Sequence, residues 1–425
     1  MLAPLRQRDF ALLWSAGFVS VAGDFALIAA LPLHAYALTG SAIAAGGVFA
    51  ATLVPGILLG SVVGVFVDRW DRKRTMVAAD LLRAVLLLPL LAVGTTDLLW
   101  LLYLVRAVVG TTGLFFDPAE NALLPKLVGG EHLVAANALN SLNNNLGRLV
   151  GPALGGVLYA WLGLTGVVLA DAATFLVSAV LVALIRADAR PEPGETVADG
   201  SGAFGRTFLE WRDGLRLVRR DPVLRTMFLA FGLGFVADGT FGVGFAPLAI
   251  DVLEVGSTGA GLLLSAQAVG GLIAGALVAA VSKRASPRLL FGGGLVGLGL
   301  ADLGLANAGS LAPPGPAALA VAAGFLILAG FPSVALDAAG TGLVQARTTD
   351  AYRGRVFGAR RALVSFAVLL GIGVGGPAIE AVGVVPVMSA GAAMWIVGGV
   401  FALTRLPPDR LLRSPAETEP LPADR

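Results

Sequence analysis

Apolar residues in this chain come in long unbroken runs, not in the alternating pattern of strands. Read as stretches of about 20 residues, the length of helix that crosses a hydrocarbon layer of about 30 Å, and divided at turn or charge signals, they predict twelve membrane helices. These lie near residues 10–38, 42–67, 75–94, 98–121, 133–162, 164–186, 223–250, 259–281, 288–309, 316–338, 359–383 and 386–405. Continuous runs argue for packed helices and against a membrane barrel, whose strands alternate. The first run follows Arg6 and Arg8 but exceeds the apolar core of a signal peptide, and no cleavage site follows, so it is expected to be retained.

Polar positions fall in step with this count. Basic residues sit at Arg6 and Arg8, at Arg69, Arg72, Lys73 and Arg74, at Lys126, from Arg186 to Arg225, at Lys283, Arg284 and Arg288, from Arg347 to Arg361, and from Arg405 onward. The alternate connectors, 39–41, 95–97, around 163, 251–258, 310–315 and 384–385, contain no Lys or Arg. That asymmetry predicts a multi-pass membrane protein with both termini cytoplasmic. The domains expected are a first six-helix bundle (1–186), a cytoplasmic connector (187–222), a second six-helix bundle (223–405) and a tail (406–425).

Within the connector, 191–202 reads as a flexible linker. Phe204, Phe208, Trp211, Leu215 and Val218 then recur at helical spacing among five arginines, the pattern of a basic amphipathic helix. It would lie either on the membrane surface or against the other cytoplasmic loops. The halves also repeat weakly: Asp24 precedes Pro32 much as Asp238 precedes Pro247, and Gly151-Pro152 is matched by Gly376-Pro377. Such a repeat implies two six-helix bundles facing one another across a central cavity.

Composition narrows the chemistry. Of 425 residues 56% are hydrophobic and only 14% charged, where soluble proteins carry about a quarter charged; the mean hydropathy is +0.83. The 57 glycines suit closely packed membrane helices. There is no Cys, and His34 and His132 are the only histidines, so thiolate and His-based metal sites are excluded. No lysine follows a glycine as a phosphate-binding loop requires, and no Gly-x-Ser-x-Gly elbow occurs. Gly232-x-Gly234-x-x-Ala237 sits in an apolar run with no strand before it. The expectation is therefore no enzyme, no cofactor, no metal and no nucleic acid. What remains is a gradient-driven transporter, expected to be a monomer whose partners are a small-molecule substrate, protons and membrane lipid.

A charge at mid-membrane costs about 2.5–3.5 kcal/mol on insertion scales, so charged residues inside the runs are the site candidates. Asp24 and Asp238 lie near mid-span in matching positions and are the proton-coupling candidates, each with a structural hydrogen bond or ion pair as its alternative role. Arg106 is the expected counter-charge. Asp171, Arg83 and Arg148 are expected to pair between helices of the first bundle, with Arg148 also a cavity candidate. Glu380 is read as an external gate or a solvated helix end, and His34 as a polar cap. Asn143, Asn144 and Asn145 are expected to include cavity-facing groups, since unpaired amides avoid lipid. Gly147, Gly151 and Gly155 share one helix face and Pro152 frees a backbone bond beside them, which together suggest a close-packed hinge.

Gly64-x-x-x-Asp68-Arg69-x-x-Arg72-Lys73 resembles motif A of the major facilitator superfamily, with Asp71 where that motif usually has glycine. Arg106 with Gly110 resembles motif B, and Gly147-x-x-x-Gly151-Pro152-x-x-Gly155-Gly156 resembles motif C, associated with antiporters. Gly23-Asp24, the segment from Phe116-Asp117-Pro118-Ala119 to Leu124-Pro125, 135–139 and 353–357 are similar to the third drug:proton antiporter family, which includes macrolide and tetracycline efflux pumps and the enterobactin exporter. The resemblance implies an all-α fold of two pseudo-symmetric six-helix bundles in the bacterial cytoplasmic (inner) membrane. It also implies export of amphipathic small molecules by proton antiport through alternating access, with Gly64, Asp68, Arg69, Arg72 and Lys73 as a conformational latch, and Gly376 and Pro377 repeating the hinge. Export of a siderophore, lipid or other metabolite, or proton symport, is the alternative; a sensor or scaffold is a further one.

Overall fold

The structure, a computed structural model, describes residues 3–67, 70–187, 203–281 and 285–407. The described residues are almost entirely helical and contain no strand, as hydrocarbon demands: without water to bond peptide groups, a spanning segment must satisfy them internally. The first bundle is built from α1 (Arg8–Thr39), α2 (Ala42–Val67), α3 (Arg72–Leu87), α4 (Leu99–Val128) and α5 (Leu133–Ala183). A 3-10 turn, Leu88–Ala92, extends α3. Helix α5 has 51 residues, roughly 76 Å at 1.5 Å per residue, more than twice what a bilayer needs. It breaks at Gly163, where φ is 62° and ψ −160°. Only glycine adopts such a backbone without strain, so α5 is two spans, a first limb (133–162) and a second (164–183), and the bundle has six.

The second half starts with α6 (Ala203–Arg220), then α7 (Pro222–Pro247), α8 (Gly256–Val281), α9 (Pro287–Ala306), a single turn α10 (Ala308–Leu311), α11 (Pro316–Arg347), α12 (Asp350–Val382) and α13 (Val384–Arg405). Helix α6 is the amphipathic connector helix, and Val218 near its end enters the core of the second bundle. Helix α12 begins about nine residues before the predicted eleventh run, because its first turns carry Asp350, Arg353 and Arg355 and are not apolar. The twelve predicted spans are thus present.

One face of the molecule gathers the basic connectors. There Arg8 donates to the carbonyl of Leu184 (3.1 Å), Arg72 to that of Ala122 (3.0 Å) and Lys73 to that of Ile185 (2.7 Å). In the second bundle Arg288 donates to the carbonyl of Leu403, and Arg347 pairs with Asp221 at 3.0 Å. At the C-termini of α5 and α13, where Leu184 and Leu403 lie, such cations complement the macrodipole and the orphan carbonyls.

The apolar cores show how the bundles meet. Near the basic face each bundle has its own: Phe10, Leu13, Met76 and Leu124 in the first, Phe231, Phe291, Leu343 and Val356 in the second. At the opposite face one core is shared, with Leu33, Ala42 and Ala45 packed among Val243, Leu248, Ile372 and Ile379. The two halves are therefore joined at one end of the membrane.

Candidate functional site

Three features make the site: the seam at the closed end, a cavity beneath it, and a buried charge cluster in the first bundle. At the seam, the first limb of α5 meets α8 and α2 meets α12. A Cβ on Gly156 would fall against the carbonyl of Ser257, and one on Gly261 against that of Pro152, so these two backbones touch only because both residues are glycine. The Ala153 N–H donates to Ser265 Oγ across the seam (3.1 Å). Gly376 abuts Ile43 of α2, and Pro377 lies one residue further inside α12. Two hydrogen bonds close the outside of the seam: the Tyr36 hydroxyl donates to Asp251, and Ser41 Oγ donates to Glu380 (2.5 Å).

The glycine motif of α5 divides its work between partners. Gly147, Gly151 and Gly155 face α1, against Val21, Phe25 and the backbone of Ala22 and Ala26, while Gly156 faces the other bundle. The first three weld α5 to α1, and the fourth with Pro152 forms the contact that must part if the bundles rock. In the second half Gly371 and Gly239 bring α12 against α7, while Gly376, the sequence match of Gly151, faces α2 of the first bundle instead of a helix of its own.

Below the seam a cavity of about 650 Å³ opens between the halves. Helix α7 contributes Phe231, Phe235, Asp238 and Phe241, α9 Asp302, α13 Trp395, and α5 of the first bundle Asn145 and Arg148. Its aromatic wall is continuous: Phe231 and Phe235 lie 5.8 Å apart, and Phe235 meets Trp395 edge-on at 5.6 Å. Arg360 is also on the wall, where it donates to Asp337 at 2.8 Å with its guanidinium 4.6 Å from the Phe231 ring centroid. Asp238 faces Arg148, whose own guanidinium lies over Phe25 at 5.9 Å, and Asp302 stands near Asp238.

In the first bundle Arg106 Nη1 stands 3.5 Å from Asp24 Oδ1, and its Nε donates to Thr52 Oγ1 (3.1 Å). Asp24 is 30% exposed and Arg106 6%. Behind them Arg83 reaches Asp80 (3.4 Å) and Thr112 (3.1 Å), and its cation lies 5.2 Å from the centroids of both Phe116 and Phe175. Asp80 also accepts from Ser178 at 2.6 Å. Asp171 is fully buried beside this set.

A match to the model of the Major Facilitator Superfamily covers residues 13–309. The chain belongs to that superfamily. It is a membrane transport protein of the major facilitator fold, not an enzyme. The MFS-type transporter YfiS of Bacillus subtilis (strain 168) is 27% identical over 395 residues, 89% of this chain and 88% of that protein. The multidrug efflux pump Tap of Mycolicibacterium fortuitum is 29% identical over 415 residues, 94% of this chain and 96% of Tap. Among solved structures, a bacterial homologue of the iron transporter ferroportin in its inward-facing state superposes with a TM-score of 0.71 at 18% identity, over 94% of this chain and 99% of that one; this likeness concerns the fold.

Several residues take places that the sequence does not predict. Asn143 does not line the cavity: it is buried and donates to the carbonyl of Trp14 at 2.8 Å, stitching α5 to α1. Asn144 is exposed outside the cavity wall and Asn145 lines it. Arg148 pairs with nothing in the first bundle's charge cluster and projects toward the second bundle instead, because its turn of α5 lies on the cavity side. Of the motif A residues, Arg72 and Lys73 bind carbonyls of their own bundle, and Gly64 belongs to α2. Asp68 and Arg69 lie outside the described residues. Asp71, the departure from motif A, is the N-cap of α3, its carboxylate accepting the Arg74 N–H at 2.9 Å. His34 holds Tyr159 (2.9 Å) and the carbonyl of Val93 (3.2 Å). The cross-seam partners Tyr36, Asp251, Ser257, Gly261 and Ser265 carry no motif, and only their positions near helix ends or among small residues hint at them.

Proposed function

We propose that this superfamily member exports amphipathic, positively charged small molecules from the cytoplasm in exchange for protons, by alternating access. The observation that carries the reading is the cavity between the halves, walled by Phe231, Phe235, Phe241 and Trp395 and carrying Asp238 and Asp302. Aromatic faces attract organic cations, and a carboxylate in an apolar wall favours a ligand that brings a cation to it. Arg360 on the same wall is already paired with Asp337, and Asp238 faces Arg148. Similarity to the multidrug efflux pump Tap over 94% of the chain supports the direction and the breadth of substrate.

The bias of basic residues supports an orientation in the cytoplasmic membrane with both termini and the basic face inside. The cavity is then shut toward the outside by the α5–α8 and α2–α12 seams, as in an inward-facing state. Tyr36–Asp251 and Ser41–Glu380 act as the external gate, and Asp68 with its basic neighbours latches the cytoplasmic side in the opposite state. Asp24 and Asp238, the matching acids of α1 and α7, are the groups that take and release protons as access alternates.

The test is ethidium transport by purified protein in liposomes. With an inward-directed proton gradient opposing the ethidium flux, uphill movement of the dye is expected, with countermovement of protons reported by an entrapped pH dye. Flux that ignores the gradient removes the antiport step. Transport of anionic but not cationic dyes removes the substrate class.

A further inference from the structure

We propose that Asp171 carries the proton exchanged for substrate, passing it to solvent through Asp24 while Arg106 transfers its charge from Asp24 to Asp171. This rests on the proton-antiport reading above and names the residue that performs it.

Asp171 sits on the second limb of α5 with none of its surface exposed. Its Oδ1 accepts from Thr174 at 3.2 Å, and its Oδ2 has no hydrogen-bond partner. An ionised carboxylate presents about four acceptor sites, and leaving one charged and unpaired away from water is expensive. The neutral acid asks for far less. The charges facing it are Asp24 from α1, Arg106 from α4 and Arg83 from α3. Asp80 is held by Arg83 and Ser178, and Asp24 by Arg106. Each guanidinium is thus assigned to another acid, and of Asp24, Asp80 and Asp171 the last has no ion pair of its own. With Arg83 paired to Asp80 and Arg106 to Asp24, Asp171 is electrically balanced when it carries its proton.

Two features make the group an exchanger and not a buried spacer. Arg106 Nη1 also lacks a hydrogen-bond partner, so the cluster holds an unpaired donor and an unpaired acceptor that would pair once Asp171 loses its proton. Gly23 lets the acid lie against α1, since a Cβ there would overlap Asp171 Oδ1 and Thr174 Oγ1. The next residue is Asp24, partly open to solvent, which gives the proton its way out. Further toward the basic face lie Asp117, which faces Arg83 and Asp24 and also Arg361 of the second bundle, and Glu120, which accepts from Asn140 at 3.2 Å.

The cycle balances. The O–H proton of neutral Asp171 passes to the Asp24 carboxylate and then to water, Arg106 takes up the new Asp171 carboxylate, and the cluster gains one negative charge. Protonation from the other side of the membrane restores the neutral acid and returns Arg106 to Asp24.

The experiment compares wild type, Asp171→Asn and Asp171→Glu in liposomes, with ethidium as the probe. Asp171→Asn matches the neutral acid in shape, so ethidium counterflow, which needs no proton, should persist, while gradient-driven transport should fall about ten-fold or more. Asp171→Glu should recover gradient-driven transport with a displaced pH profile. Wild type should show an infrared carboxylic-acid band that vanishes on ethidium binding and is missing from Asp171→Asn. Gradient-driven transport in Asp171→Asn with an unchanged pH profile overturns the proposal, as does persistence of the band. Should Asp171→Asn not fold, the wild-type band and the Asp171→Glu profile decide. Gradient-independent flux in wild type defeats the antiport reading itself, and that result is seen before any variant is made.

Discussion

The two bundles hold their intramembrane charges in opposite ways. In the first, Asp24, Arg106, Asp80 and Arg83 are neutralised among themselves, with Ser178, Thr112 and Thr52 completing the shell. In the second, Asp238 and Asp302 are turned into the cavity, and the one clear ion pair near them, Asp337–Arg360, leaves Asp337 75% exposed. The same cost of charge in hydrocarbon is met by internal pairing on one side and by water or ligand on the other. The first arrangement suits a group that exchanges protons, the second a surface that receives a substrate.

The sharpest way to break that contrast is to remove one cation from each side. Arg106→Ala leaves Asp24 without its partner inside the first bundle and is expected to cost about 3–5 kcal/mol of stability, read by thermal unfolding in detergent. Arg360→Ala, beside a carboxylate already in solvent, should cost no more than about 1 kcal/mol. Equal losses would mean that the two regions do not differ.

A smaller effect is expected at the seam between them. Gly261→Leu pushes a side chain into the carbonyl of Pro152, and overpacking of this kind costs about 1–3 kcal/mol, paid only when the seam is shut. The variant should shift toward states open at that face, read from spin-label distances between α5 and α8 after cysteines are placed in this Cys-free chain. An unchanged distribution would show that the seam has slack.

Next comes the division of labour. Asp238→Asn should weaken ethidium binding by about 1.5 kcal/mol, roughly ten-fold in Kd, the scale of a lost charged contact. Asp24→Asn should leave Kd within about two-fold and lose gradient-driven transport instead, as expected of a group that meets protons and not dye. Reversal of this pattern would exchange the roles of the bundles. Least of all, Tyr36→Phe removes one gate hydrogen bond and should destabilise the closed seam by about 1 kcal/mol, seen as a modest rise in outward opening by the same labels.

The motif residues were legible to different depths for physical reasons. The glycines of α5 are visible as a stripe because close approach demands them wherever the partner lies. That Gly147 to Gly155 face α1 while Gly156 faces α8 depends on one helix being shared by two interfaces, and spacing along one chain does not report it. Arg106 reads as a counter-charge from its depth alone. Its choice of Asp24 over Asp238 follows from α1 and α4 belonging to one bundle. Asn143 and Asn145 look alike in sequence, yet two residues turn a helix by about 200°, enough to send one into the α1 contact and the other into the cavity.

By itself the sequence determines that this chain crosses a membrane twelve times in two six-helix halves, since each span's length and each connector's charge are local properties that water and lipid act on directly. It also determines which few charges must be accommodated within the membrane. Only the tertiary structure decides how they are met: Asp24 on Arg106, Arg148 reaching to the second bundle, Asp171 fully buried with an oxygen unpaired. Those choices hang on which helix faces are brought together, and a buried charge is governed by its neighbours in space.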